Sequence, residues 1–390
     1  MADPRSVIER GLAREGSEPY TLESFYRKRD RKRARQRFTA GIVGLAIAIV
    51  MAVVGSAILR SAPEDRDVGE KGLPILREGE VLQVVDENSP SASLVATDAA
   101  TGGQRILHRC TECGWINDFA LSTDGRWVAW EQMCDPAACS ANNEPGLWVV
   151  GAGGPEIHVA TPPDAFGVGW IWAWSTVTEE LAFVTGLSEL VLFDPTTGER
   201  TSVTRVDGIS ALSWSPDGAA IAIASPSSGV SIVDLATERS TSIAPVGTIG
   251  DHDLSWSPDG TRLVLASNGR IIVVNADGSD QRALVDRGAS GSDAPAWSPD
   301  GTRIAYFQQT GSGDFTLEVW VIGADGSDAT RLFQAEADDW AGPVWSPDGS
   351  RIAFWIHDVV PFNSQLVVNA DGSGSPEQVD DVVVDGWIQG

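Results

Sequence analysis

The chain is poor in cysteine, histidine, methionine and basic residues. Four cysteines in 390 residues are too few to build a disulfide scaffold. The four histidines, His108, His158, His252 and His357, are scattered. No H-E-x-x-H, no G-x-S-x-G elbow and no phosphate-cradling glycine loop accompanies them, so hydrolase, zinc-protease and nucleotide chemistry lack their usual groups. Only 28 Lys+Arg stand against 54 Asp+Glu, for a net charge of −26. Glycine (41) and proline (21) are plentiful and show no collagen-like period. That composition suits many tight turns between short strands. With 42% hydrophobic residues, the chain can bury a core, which excludes a disordered polymer.

The charge is split along the chain. Residues 1–60 hold 12 Lys+Arg and 6 Asp+Glu, leaving 16 basic against 48 acidic residues in the remainder. The acidic part repels nucleic acid and anionic lipid head groups. Phe38 to Leu59 runs 22 residues without a charge. As a helix it spans about 33 Å at about 1.5 Å per residue, enough to cross the hydrocarbon of a bilayer. The basic cluster Arg27–Arg37 just before it predicts an N-terminus in the cytoplasm,. The 37-residue polar lead and the long apolar run favour an uncleaved anchor over a signal peptide,. The expected organisation is a basic cytoplasmic tail over 1–37, a transmembrane helix over 38–59, a tether over 60–79 and an extracytoplasmic domain over 80–390.

Internal repeats decide the fold of that domain. Trp-Ser-Pro-Asp-Gly occurs at 214–218, 256–260, 297–301 and 345–349, with spacings of 42, 41 and 48 residues. Degenerate copies stand at Leu121–Gly125 and at Trp174-Ser175-Thr176. In each unit a short strand ends in Trp-Ser. Pro-Asp-Gly turns the chain, because proline presets φ and glycine accepts the left-handed region. A β-rich run such as Arg303–Phe307 follows, then a third strand, a second turn such as Asn275–Gly278, and a short fourth strand. Four antiparallel strands in about 42 residues describe a propeller blade.

The Trp-Ser-Pro-Asp-Gly turn, the Arg-Ile-Ala-Phe strand and the Asn-Ala-Asp-Gly turn resemble the β-propeller of the TolB family. Related repeats occur in the propellers of prolyl-oligopeptidase-like peptidases. Those peptidases carry a separate hydrolase domain, for which this chain has no room. The expectation is an all-β propeller of four-stranded antiparallel blades. Residues 80–390 number 311, which at about 43 residues per blade gives about seven. Six blades, as in TolB-like proteins, is the alternative. Glu80–Val85, Ser93–Thr97 and Gln104–His108 supply three strands of one blade, and 382–387 is expected to supply its inner strand.

Cys110 and Cys113 precede the inner strand of one blade, and Cys134 and Cys139 follow its second strand. Antiparallel strands bring both loops to one end, and outside the membrane two disulfides are expected, with a four-thiolate zinc site as the competing reading. Counting back from the turns places Asp118, Asp207, Asp251, His252, Asp253, Asp293, Asp338 and Asp339 at the starts of inner strands. Carboxylates converging on one opening form a negative funnel for a cation or a basic peptide segment. Trp170, Trp172 and Trp340 fall near the same opening and are candidate partner anchors,. The Asp-Gly turns lack the downstream glutamate of a calcium hand and read as turns. No catalytic residue, metal or cofactor is assigned. The function read from the sequence is a membrane-anchored binder of a protein or peptide at the cell envelope. An envelope hydrolase or lyase using the acidic channel residues, and a transmembrane sensor signalling through the tail, are the alternatives.

Overall fold

The computed structural model describes residues 74–379, without 78–79, 86–91, 99–100, 110–114, 134–144, 162–170, 187, 245–253, 287–291, 311–315, 337–338 and 358–363. The described residues form no helix, so none is long and apolar enough to cross a membrane. The expected tail, the 38–59 anchor, the four cysteines and the closing strand at 382–387 lie outside the described residues.

The fold is all-β. Among the described residues, six four-stranded antiparallel sheets and one three-stranded sheet follow one another in sequence. The first sheet holds Glu80–Val85, Ser93–Asp98 and Gln104–Arg109. The second spans 115–160, the third 172–205, the fourth 211–244, the fifth 254–286, the sixth 292–336 and the seventh 339–379. In every four-stranded sheet the strand order is the sequence order, an up-and-down meander. The two middle strands are buried on both faces, as in Arg303–Thr310 and Arg262–Ser267. Their sequences are therefore near-continuous apolar runs instead of alternating ones.

That double burial has a geometric cause: each sheet packs face to face on the next. Leu82 and Leu94 of the first sheet share a core with Val128 and Trp130 of the second. Leu147 and Val149 of the second pack on Phe183 and Phe193 of the third. The same alternation joins the third to the fourth, the fourth to the fifth, the fifth to the sixth and the sixth to the seventh. Only an array of stacked sheets buries both faces of every middle strand in this way.

Ile75, counted with the tether in the sequence, is buried at 4% exposure beside Leu82. Its N–H donates to the Gly125 carbonyl at 2.7 Å, and its carbonyl accepts from Arg105 at 2.8 Å. The docked chain thus begins by residue 74, several residues before the first strand.

Candidate functional site at the strand-start end of the sheets

Each sheet has two chemically different ends. At one end lie the turn between the first and second strands and the turn between the third and fourth. At the other lie the start of the first strand and the loop between the second and third.

The turn end is occupied by the repeat itself. In the sixth sheet the buried Ser298 hydroxyl donates to Asp300 at 2.6 Å and accepts the Arg303 N–H at 2.9 Å. The fifth and seventh sheets repeat this with Ser257–Asp259 and Ser346–Asp348. Bonds from the serine hydroxyl, a backbone N–H and the following Thr or Ser hold Asp259, Asp300 and Asp348 down to a pKa of about 2, because they favour the charged form. Except at Trp297, whose indole N–H meets no acceptor among the described residues, the tryptophan of the motif bridges sheets. Its indole N–H donates to a carbonyl of the preceding inner strand: Trp174 to Ala120, Trp214 to Ala173, Trp256 to Ser213 and Trp345 to Ala296, all at 3.0–3.1 Å. Where threonine replaces the motif's proline, its hydroxyl makes a similar bridge, Thr123 to the Ser175 carbonyl at 2.6 Å and Thr176 to the Ser215 carbonyl at 2.8 Å. These residues are consumed in holding sheet to sheet.

The opposite end carries polar groups outside the turn motif. Asp118 stands opposite Glu131 in the second sheet, and Glu131 is only 1% exposed. Gln132 is buried next to it. In the sixth sheet Asp293 accepts from Gln309 at 3.3 Å, and buried Gln308 pairs across the strands with buried Glu318. Glu318 accepts from Arg331 at 2.8 Å and from the Trp320 indole at 3.0 Å. A buried amide or carboxylate is costly unless bonded, so these residues distinguish the strand-start ends of the second and sixth sheets.

The sequence-predicted residues fall here as follows. Asp207 is exposed in the loop before the fourth sheet, and its carbonyl accepts from Ser225 and Ser227. Asp118, Asp293 and Asp339 lie on first strands of the second, sixth and seventh sheets. Trp172 opens the third sheet half-buried, and its buried indole N–H meets no acceptor among the described residues. Trp340 is half-buried, edge-on to Phe307 with ring centres 6.4 Å apart. Trp170, Asp251, His252, Asp253 and Asp338 lie outside the described residues, as do Cys110, Cys113, Cys134 and Cys139. Among the described residues no three His, Cys, Asp or Glu side chains group to hold a metal ion.

Sequence reading missed the buried partners Glu131, Gln132, Gln308 and Glu318. It also missed an aromatic row that starts at His108 of the first sheet, 4.7 Å from Trp130, and crosses the second sheet to His158, 4.6 Å from Trp148. The one signal for the former was polar residues at the far end of otherwise apolar strands, as in Trp127–Met133.

No family model matches the chain, and no curated protein matches it. Solved structures do. An oligogalacturonate lyase determined with manganese is 13% identical, covering 79% of this chain and 85% of that one at a TM-score of 0.53. A 6-phosphogluconolactonase-like protein of Bacteroides uniformis is 16% identical, covering 79% and 98% at a TM-score of 0.51. The fold is propeller-like. A third likeness, to hydrazine synthase of Kuenenia stuttgartiensis, is 21% identical at a TM-score of 0.45, and this propeller-like chain spans 64% of that chain. At such identities the likeness concerns architecture alone, because one propeller scaffold hosts unrelated chemistries.

Proposed function

We propose that the chain displays a TolB-like, seven-bladed propeller outside a membrane, anchored by residues 38–59, and that its strand-start end binds a protein or peptide partner without chemical turnover. One observation carries the binding reading: the turn-motif residues are spent on sheet-to-sheet bonds at the turn end, whereas the strand-start aspartates and the buried Glu131, Gln132, Gln308 and Glu318 gather at the other. A surface whose residues differ from sheet to sheet presents one specific pattern to a partner. Its sign is acidic, which favours a basic segment and speeds encounter at low salt.

Support for seven blades comes from the first sheet. Among the described residues it has three strands where the others have four, and the fourth is read as the inner one. Val382–Trp387 fits that place in length and in apolar character. Deleting residues 382–390 is expected to lower the melting temperature of the full-length chain sharply; an unchanged value would remove the closure. For the binding reading, the full-length chain in detergent is cross-linked to envelope proteins at low and high salt. Recovery of a discrete partner is expected to fall with salt and in the triple variant Asp207→Asn, Asp293→Asn, Asp339→Asn. Recovery indifferent to both would refute the acidic site. Protease shaving of intact cells tests the orientation, with digestion of the sheets from outside expected.

A further inference from the structure

The turn end holds one place where the repeat leaves charge unused. Between the fifth and sixth sheets lies a recess of about 430 Å³ whose lining includes Arg262, Arg282, Thr302, Arg303, Asp325 and Asp328. The size is that of a small-molecule site.

Comparison with the next seam shows what is different. There, Arg303 lies over the Trp345 ring at 4.9 Å, and its guanidinium donates to the Gly349 carbonyl at 2.8 Å and to the Ala370 carbonyl at 3.4 Å. Arg262 occupies the matching position one sheet earlier and lies over Trp297 at 4.7 Å. The carbonyl matching Ala370 is that of Ala324, and Arg282 has taken it at 3.3 Å. The Arg262 guanidinium makes no hydrogen bond and no ion pair among the described residues. Arg282 adds a second guanidinium with that single backbone bond. Asp259 and Asp325 sense Arg262 and Arg282 through space without closing an ion pair.

Among the described residues the other half-buried arginines, Arg105, Arg126 and Arg303, each bond a carboxylate or a carbonyl through the guanidinium, and Arg262 does not. A half-buried guanidinium presents a rigid fork of five donors. The same fork matches the two oxygens of a carboxylate or phosphate. The half-buried fork of Arg262 and the exposed fork of Arg282, lining one open recess, compose an anion receptor. The carboxylates of Asp325 and Asp328 in the same wall disfavour a polyanion. They suit a ligand with one oxyanion group and neighbouring hydroxyl or amine donors.

We propose that this recess binds a small molecule through a single oxyanion group, carboxylate or phosphate, held by Arg262 and Arg282. The site is independent of the partner-binding end, which lies at the opposite ends of the strands.

The test is calorimetric titration of the full-length chain in detergent with inorganic phosphate and, separately, with acetate, against chloride at matched ionic strength. Saturable heat with phosphate or acetate and none with chloride is expected; the anion that binds identifies the group. Arg262→Gln and Arg282→Gln are each expected to weaken binding about tenfold or more, the effect of losing hydrogen bonds between charged groups. Arg239→Gln, an exposed arginine of the fourth sheet, is expected to leave it unchanged. If Arg262→Gln fails to fold, Arg282→Gln carries the test alone, because Arg282 is exposed on an outer strand. Equal heat with chloride, no saturable heat with either anion, or affinities within about twofold of wild type in the folded variants overturns the proposal.

Discussion

Trp345 and Trp297 are a matched pair that isolates the bond between sheets. They hold the same position in successive repeats, are 7% and 6% exposed, and lie under Arg303 and Arg262 at 4.9 and 4.7 Å. They differ in the arginine above, which bonds two carbonyls over Trp345 and none among the described residues over Trp297, and at the indole N–H. The Trp345 indole N–H reaches the Ala296 carbonyl at 3.0 Å, whereas the buried Trp297 N–H has no acceptor among the described residues. Replacing either by phenylalanine removes the same ring volume, so the packing loss is common to both. Trp345→Phe also loses a hydrogen bond, about 1 kcal/mol net. Trp297→Phe removes an unsatisfied buried donor, which returns about 1 kcal/mol or more. Trp345→Phe should therefore be the less stable by about 2 kcal/mol. For a domain of this size 1 kcal/mol moves the melting temperature by about 2 °C, so the two variants should separate by about 4 °C. Thermal unfolding of the full-length chain, followed by far-ultraviolet circular dichroism, reads the difference. Equal melting temperatures, or a lower one for Trp297→Phe, would refute the claim that the indole N–H bridges the sheets.

The turn residues give further predictions. Ser298→Ala removes a fully buried hydroxyl that bonds both Asp300 and the Arg303 N–H, and should cost about 1–3 kcal/mol in denaturant unfolding. Gly301 has φ +68°, and the space that a Cβ would enter is open except for Pro258 at 3.6 Å. Gly301→Ala should cost about 1–2 kcal/mol from backbone strain alone, and Gly301→Asn less; equal losses would point to a clash instead. Asp259, Asp300 and Asp348 have folded pKa values near 2, below the ordinary 3.8. Their contribution is present above pH 4 and is lost as pH falls from about 4 through 2, since the unfolded chain takes up protons first. A melting temperature followed over that range should fall, and should fall less steeply in Asp300→Ala. Thr176→Val should lower stability by about 1 kcal/mol by breaking the bridge to the Ser215 carbonyl,, whereas Thr197→Val, whose hydroxyl bonds only within its own turn, should do less.

What could be read from the sequence follows from where each interaction is encoded. The turn motif is local. Serine, aspartate and glycine sit within five residues of one another and bond one another, so four copies of the pentapeptide announced the strand ends, and the observed strands begin and stop where those turns require. The three-strand first sheet was legible for the same reason, as β-rich runs between turns. The strand-start aspartates were legible only as positions, because counting back from a turn gives register but not company. Glu131 and Gln308 were hidden because their burial is set by the neighbouring sheet and not by their own strand. The arginine recess was least visible. Arg262 and Arg303 look alike in sequence, each following Pro-Asp-Gly-Thr, yet one is clamped by two carbonyls and the other is not. The difference arises because Arg282, twenty residues further on, competes for the carbonyl that Arg262 would have used. A repeat specifies the bonds that every copy shares, and chemistry appears where one copy breaks the rule through a contact the repeat does not encode.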